Sequence, residues 1–249
     1  MPPQALSKVP EITLIFWVIK IAATTLGETG GDAVSMSMNL GYLVGTAIFA
    51  VIFLIAVVAQ INARGFHPFL YWTTIIATTT VGTTLADFAD RSLGIGYVGG
   101  SALLLVLLMS SLALWYWTLG AVTVESISSS KAEMFYWVTI VFSQTLGTAL
   151  GDWTADTAGL GYTGAALVFS VLLAMVIAAY FWTRISRTTL FWAAFILTRP
   201  LGAVVGDFLD KPVTTGGLAL SRYLASVALL LFIIACIWIF RQRAISSSA

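Results

Sequence analysis

Four aspartates, Asp32, Asp87, Asp152 and Asp207, stand at one repeated point of an apolar chain. Each lies 15 residues after a tryptophan (Trp17, Trp72, Trp137, Trp192) and five after a glycine (Gly27, Gly82, Gly147, Gly202). A carboxyl group at membrane depth costs about 2.5–3.5 kcal/mol. Four retained copies therefore pose the functional question. Threonines join three of them on one helix face. Thr25, Glu28 and Asp32 are spaced i, i+3, i+7, as are Thr80, Thr83 and Asp87, and Thr145, Thr148 and Asp152. Carboxyl and hydroxyl oxygens are hard ligands, suited to Mg²⁺, Mn²⁺, Ca²⁺ or protons. The competing reading makes each aspartate a cap on the turn that follows it.

The fourth copy breaks the stripe with Pro200, Ala203 and Asp207, and places Arg199 beside it. An arginine within an apolar run needs an acidic partner, and Glu28 or an aspartate of a neighbouring helix is expected to supply it. Pro200 is expected to kink its helix and free backbone carbonyls. Lys20, one turn after Trp17, is expected to snorkel to the membrane interface. Five acids (Glu28 and the four aspartates) then face only Lys20 and Arg199, leaving three unmatched if all ionise. Asp90, Asp156 and Asp210 are expected at an outer mouth, as solvated loop acids or an acidic vestibule.

The composition places these residues in a membrane protein. Of 249 residues, 59% are hydrophobic and 9% charged, with mean hydropathy +0.96. An ordinary soluble domain is about 25% charged. One cysteine (Cys236) and one histidine (His67) argue against a zinc, copper, haem or iron–sulfur site. A net charge of +1 with no basic patch argues against nucleic acid. Nothing resembles a nucleophile–base pair, a phosphate-cradling loop or a cofactor motif, so no enzyme activity is expected. The first apolar run lacks the flanks of a cleaved signal peptide and is expected to remain as a helix.

The aspartates fall on the first helix of each of four two-helix repeats. Helices are expected near 12–34, 40–62, 68–89, 95–120, 133–155, 160–183, 188–209 and 217–241. Each is long enough to span about 30 Å of hydrocarbon. Two helices per repeat return the chain to one side, so the repeats are parallel. Small residues four apart on each first helix (Gly27/Gly31, Gly82/Ala86, Gly147/Gly151, Gly202/Gly206) allow close backbone packing in lipid. The tryptophans are spaced by 55, 65 and 55 residues. The expected organisation is a first half at 1–125, a linker at 126–131 and a second half at 132–249, forming one membrane domain. The fold class is an all-α integral membrane protein, with eight transmembrane helices in a bundle of twofold or approximate fourfold pseudo-symmetry.

Lys8, Arg64, Lys131, Arg184, Arg187, Arg241 and Arg243 fall on the side of the termini, and Arg91, Lys211 and Arg222 on the other. This excess places both termini in the cytoplasm. The tryptophans near the helix starts, with Trp115, Trp117 and Trp182, are expected to form a cytoplasmic aromatic belt.

The units Thr-Leu-Gly, Gly-Asp and Leu-Gly-Tyr, recurring through the chain, resemble a bacterial family of uncharacterised membrane-anchored proteins built from repeats of unknown function. Repeats one to three carry the likeness. Repeat four departs, with Pro200 for threonine and Gly217 for tyrosine. The resemblance implies an eight-helix bacterial inner-membrane protein and brings no activity with it. The residues themselves point to a hard-cation transporter or channel, with no resident cofactor expected beyond a bound divalent cation. A proton-coupled carrier of a small organic solute and a non-transporting scaffold are the alternatives. Expected partners are the lipid bilayer and a small cation, with no nucleic acid, in a monomer or homodimer.

Overall fold

A computed structural model describes residues 7–123, 127 and 129–245. Eight α-helices account for most of them: α1 Leu14–Asp32, α2 Gly41–Asn62, α3 Pro68–Asp87, α4 Gly96–Leu119, α5 Ser130–Asp152, α6 Gly161–Trp182, α7 Arg187–Asp210 and α8 Arg222–Ile239. Among the described residues the β pairing is a lone bridge, Pro10 with Ala244. Residues 124–126 and 128 of the expected boundary and linker lie outside the described residues. Ser129 caps α5, its Oγ accepting from the Ala132 amide at 3.2 Å, so 130–131 begin that helix.

Local chemistry sets the helix ends. Thr13 and Ser221 cap α1 and α8 through their hydroxyls, and Pro68 opens α3, where its missing N–H costs nothing. Beyond the aspartates of α1, α3 and α5 the chain continues as one wider π-helical turn, at 33–37, 88–92 and 153–157. The chain then reverses through the repeated glycine. Gly41, Gly96, Gly161 and Gly216 all have positive φ, between 62° and 88°. Only glycine adopts that conformation freely, which explains its fixed place in every copy. In repeat four Pro212 and a short 3₁₀ turn at Val213–Thr215 displace the second helix, so α8 starts at Arg222 rather than near 217.

The four first helices form a closed ring in which α1 packs on α3, α3 on α5, α5 on α7 and α7 on α1. Each second helix packs mainly on the first helix of the following repeat: α2 on α3, α4 on α5, α6 on α7 and α8 on α1. The repeats therefore interlock, and the two halves meet at α3/α5 and at α7/α1. Five helices, α2, α4, α6, α7 and α8, are long and apolar enough to cross a membrane. The other three first helices are as long but rich in threonine and glycine. Ring helices bury their sides against one another, whereas outer helices present Leu, Ile and Val.

Glycine makes the ring tight. A Cβ on Gly27 would overlap Thr79, one on Gly147 would overlap Arg199, and one on Gly202 would overlap Thr24. A Cβ on Gly82 would lie 3.0 Å from the Gln144 backbone. Each of these glycines receives the side chain or backbone of the next ring helix, as the small-residue spacing predicts.

One end of the ring is closed by aromatic side chains that hand on around it. Ring centroids lie 5.4 Å apart for Phe16 and Trp72, 6.0 Å for Tyr71 and Trp137, 6.3 Å for Tyr136 and Trp192, and 5.9 Å for Phe191 and Trp17. This corrects the expected aromatic belt. Trp72, Trp137, Trp192 and Trp115 are buried in the core and Trp17 is half-buried, while Trp117 and Trp182, 78% and 82% exposed, fit an interfacial position. The indoles of Trp72, Trp137 and Trp192 are buried because they turn into the ring, while Leu14, Phe69 and Met134 hold the outer faces of the same helices.

Candidate functional site

Residues four apart on the ring helices stack into layers inside the ring. Above the aromatic closure come Lys20, Ile75, Ile140 and Phe195, then Thr24, Thr79, Gln144 and Arg199. Next come Glu28, Thr83, Thr148 and Ala203, and last the four aspartates. All sixteen are buried. The sequence thus converts a regular apolar helix face into an increasingly polar axis.

Arg199 dominates the middle. Its Nη2 donates to Glu28 Oε2 at 3.0 Å, to Thr83 Oγ1 at 2.6 Å and to Thr148 Oγ1. One guanidinium therefore ties the fourth repeat to the other three. The expected Arg199–Glu28 pairing is present. Thr83 and Thr148 belong to this site, but Thr25, Thr80 and Thr145 do not reach the carboxyl groups. Their hydroxyls donate to Ile21, Ile76 and Val141 carbonyls of their own helices, at 3.0, 2.8 and 2.9 Å. That local bond is the usual resting place for a buried helical threonine. Helix α7 runs on through Pro200 without a break.

The aspartates converge. Oxygens of Glu28, Asp32 and Asp87 all lie within 4.8 Å of one another, and so do those of Glu28, Asp152 and Asp207, and of Asp32, Asp207 and Asp210. Gly31, Gly151 and Gly206 sit beside them, each against the neighbouring ring helix. Capping does not hold the aspartates: the side chains of Asp32, Asp87 and Asp152 make no capping hydrogen bond to the backbone of the turns that follow them.

Bases expected in outer loops fold back onto this ring, and they correct the expected charge excess. Arg91 lies 3.1 Å from Asp87 and 3.1 Å from Asp152. Lys211 pairs with Asp32 and lies 3.1 Å from Asp207. Each base thus joins its own helix to the next, one from α3 to α5 and the other from α7 to α1. Arg222 pairs with Asp210 at 2.9 Å and approaches Asp32 at 3.8 Å. Asp87 Oδ1 and Asp207 Oδ1 nonetheless lack a hydrogen bond of good geometry. The sequence held a signal for these bases in the shared pattern Asp87-Phe88-Ala89-Asp90-Arg91 and Asp207-Phe208-Leu209-Asp210-Lys211. It places a base four residues after the aspartate, on the same helix face.

Two further expectations change. Lys20 does not snorkel; it is wholly buried, with Nζ 4.1 Å from the Phe195 ring centre. Asp90 and Asp210 are buried, and only Asp156 is an exposed loop acid. The large cavity, about 790 Å³, is not at the carboxyl groups. It is an apolar groove flanked by α1, α6 and α7, lined by Trp17, Leu173, Tyr180 and Phe191 among others.

The repeats also match a known family, described as Repeat of Unknown Function (DUF347), four times: at residues 15–66, 70–120, 135–186 and 190–244. The chain belongs to this family. Each DUF347 unit takes in a ring helix and the outer helix after it. No curated protein and no solved structure matches the chain.

Proposed function

We propose that the chain is a membrane transporter or channel for a hard cation, a divalent metal such as Mn²⁺ or Mg²⁺, with protons as the exchanging species. The observation that carries this reading is the convergence of Glu28 with Asp32 and Asp87, and with Asp152 and Asp207, inside a ring of helices. Carboxyl oxygens so close repel one another unless cations or protons are shared among them. In the resting ring Arg91, Lys211 and Arg199 supply the positive charge. An incoming cation competes with these tethered bases, and metal and protons compete for the same oxygens. All eight helices cross the membrane in this reading. The four ring helices turn one side to the ring interior, which accounts for the buried threonines of α1, α3 and α5. The excess of lysine and arginine at the aromatic end puts both termini in the cytoplasm of a bacterial inner membrane.

The test is flux into proteoliposomes, with a panel of divalent metals and an imposed pH gradient. Asp→Asn changes at 32, 87, 152 and 207 should each lower metal flux at least about tenfold, equivalent to about 1.4 kcal/mol. Full flux in all four variants would remove the proposal. One observation favours a second reading, a non-transporting scaffold: every aspartate of the ring already has a basic neighbour. In that case no metal moves and the same variants lose stability instead.

A further inference from the structure

We propose that the ring also binds a small monovalent anion of the chloride class, between Lys20 and Arg199, on the aromatic side of the Glu28 layer. This site is separate from the aspartates and rests on different atoms. Five side chains, drawn from all four ring helices, leave polar atoms without a hydrogen-bond partner here. They are Lys20 Nζ on α1, Thr79 Oγ1 on α3, Ser143 Oγ and both amide atoms of Gln144 on α5, and Arg199 Nε and Nη1 on α7. All five residues are 0% exposed. Buried polar groups are nearly always partnered, so a cluster of orphans marks an occupant that satisfies them together.

The chemistry of the orphans selects the occupant. Ammonium, guanidinium, amide and hydroxyl groups supply donors, and the one obligate acceptor is the Gln144 carbonyl. Both cations point to negative charge. Glu28 is already engaged by Arg199 Nη2, one layer further along. Among the described residues no carboxyl group pairs with Lys20. Its contact is the face of Phe195, which offsets only a fraction of the desolvation of an ammonium. An anion between the two cations removes that imbalance. Size favours a monatomic ion: Ile75, Ile140 and Phe195 fill the rest of the Lys20 layer and offer nothing to the several oxygens of a phosphate or sulfate.

The experiment uses the full chain in detergent. Thermal unfolding is followed while gluconate is replaced by chloride at constant ionic strength. Specific binding to the folded state gives a saturable rise in Tm. Lys20→Met, close in shape and uncharged, should abolish that rise while keeping helical circular dichroism. Bromide-soaked crystals of the unaltered chain should show an anomalous peak between Lys20 and Arg199. An unfolding temperature indifferent to chloride overturns the proposal, as does bromide-soaked density holding only water there. If Lys20→Met does not fold, the bromide peak in the unaltered chain decides alone. Metal flux is not a readout of this experiment, so its failure is distinct from failure of the cation proposal.

Discussion

Arg199 and Glu28 meet between the neighbouring ring helices α7 and α1 with 3.0 Å between Nη2 and Oε2, although 171 positions separate them. Each occurs in one repeat alone at its level. Arg199 replaces the threonine or glutamine of the other ring helices, and Glu28 replaces their threonine or alanine. The two substitutions make sense only together, because either charge alone would be buried without a counterion. They also give a ring of near-equivalent helices a marked direction, from α7 to α1.

That dependence is measurable. Arg199→Met leaves Glu28 buried beside four other carboxyl groups and should destabilise the chain by about 3–5 kcal/mol. Glu28→Gln alone strands the guanidinium, with a cost of the same order. The double variant should cost less than the sum, since neither charge is left uncompensated. Denaturant unfolding of the detergent-purified protein gives the coupling. Strict additivity would mean that the pair does not act as a unit.

A second prediction concerns the glycines. Gly82→Ala sets a methyl 3.0 Å from the Gln144 backbone, which cannot turn aside as a side chain can. It should lower stability by about 1–3 kcal/mol. At Gly30 the nearest atom to an added methyl is Ser226 Oγ at 3.9 Å, so Gly30→Ala should stay within about 0.5 kcal/mol of the parent or gain slightly from helix propensity. Parallel melts of the two variants check the contrast. Equal effects would show that ring spacing is not set by these glycines.

The aromatic closure gives a third. Trp72 is buried, touches Phe16 and Tyr71, and donates from Nε1 to Gln242 Oε1 at 2.8 Å. Trp72→Ala should cost about 3–5 kcal/mol. Trp182, 82% exposed at the end of α6, should tolerate alanine with a change of about 0.5 kcal/mol or less in detergent. A mild Trp72→Ala phenotype would show that the ring end is loosely packed.

These contrasts also show what could be read from residues alone. The repeat frame carried the eight helices, because tryptophan, glycine and aspartate recur at fixed steps. The glycine spacing carried the tight ring, and the lone Arg199 and Glu28 carried their own pairing. The aromatic closure was missed because a tryptophan near a helix end reads equally as belt or core, and only the partner helix decides between them. Lys20 was misread for the same reason: snorkelling assumes a side chain on an open face, and Lys20 lies on the buried side of α1 that faces the ring. Arg91 and Lys211 were assigned to loops because the helices were expected to end near 89 and 209, two residues past the aspartates. The π-helical turn after Asp87 and the further turn of α7 after Asp207 carry the bases back over the carboxyl groups.

Arg91 and Lys211 supply the prediction that separates transport from scaffolding. If the ring coordinates a metal, each base is a competitor tethered at the site, and removing it should strengthen binding. Arg91→Gln and Lys211→Gln should then each raise Mn²⁺ affinity at least about tenfold, or about 1.4 kcal/mol, by isothermal titration calorimetry in detergent. The two effects should be similar, because each base spans a ring aspartate of its own helix and one of the next. Without metal both variants should melt below the parent, since two buried carboxyl groups lose their counterion. Added Mn²⁺ should restore much of that loss through binding to the folded state. A ring of purely structural ion pairs gives the first loss without the recovery, and no heat of binding in either variant.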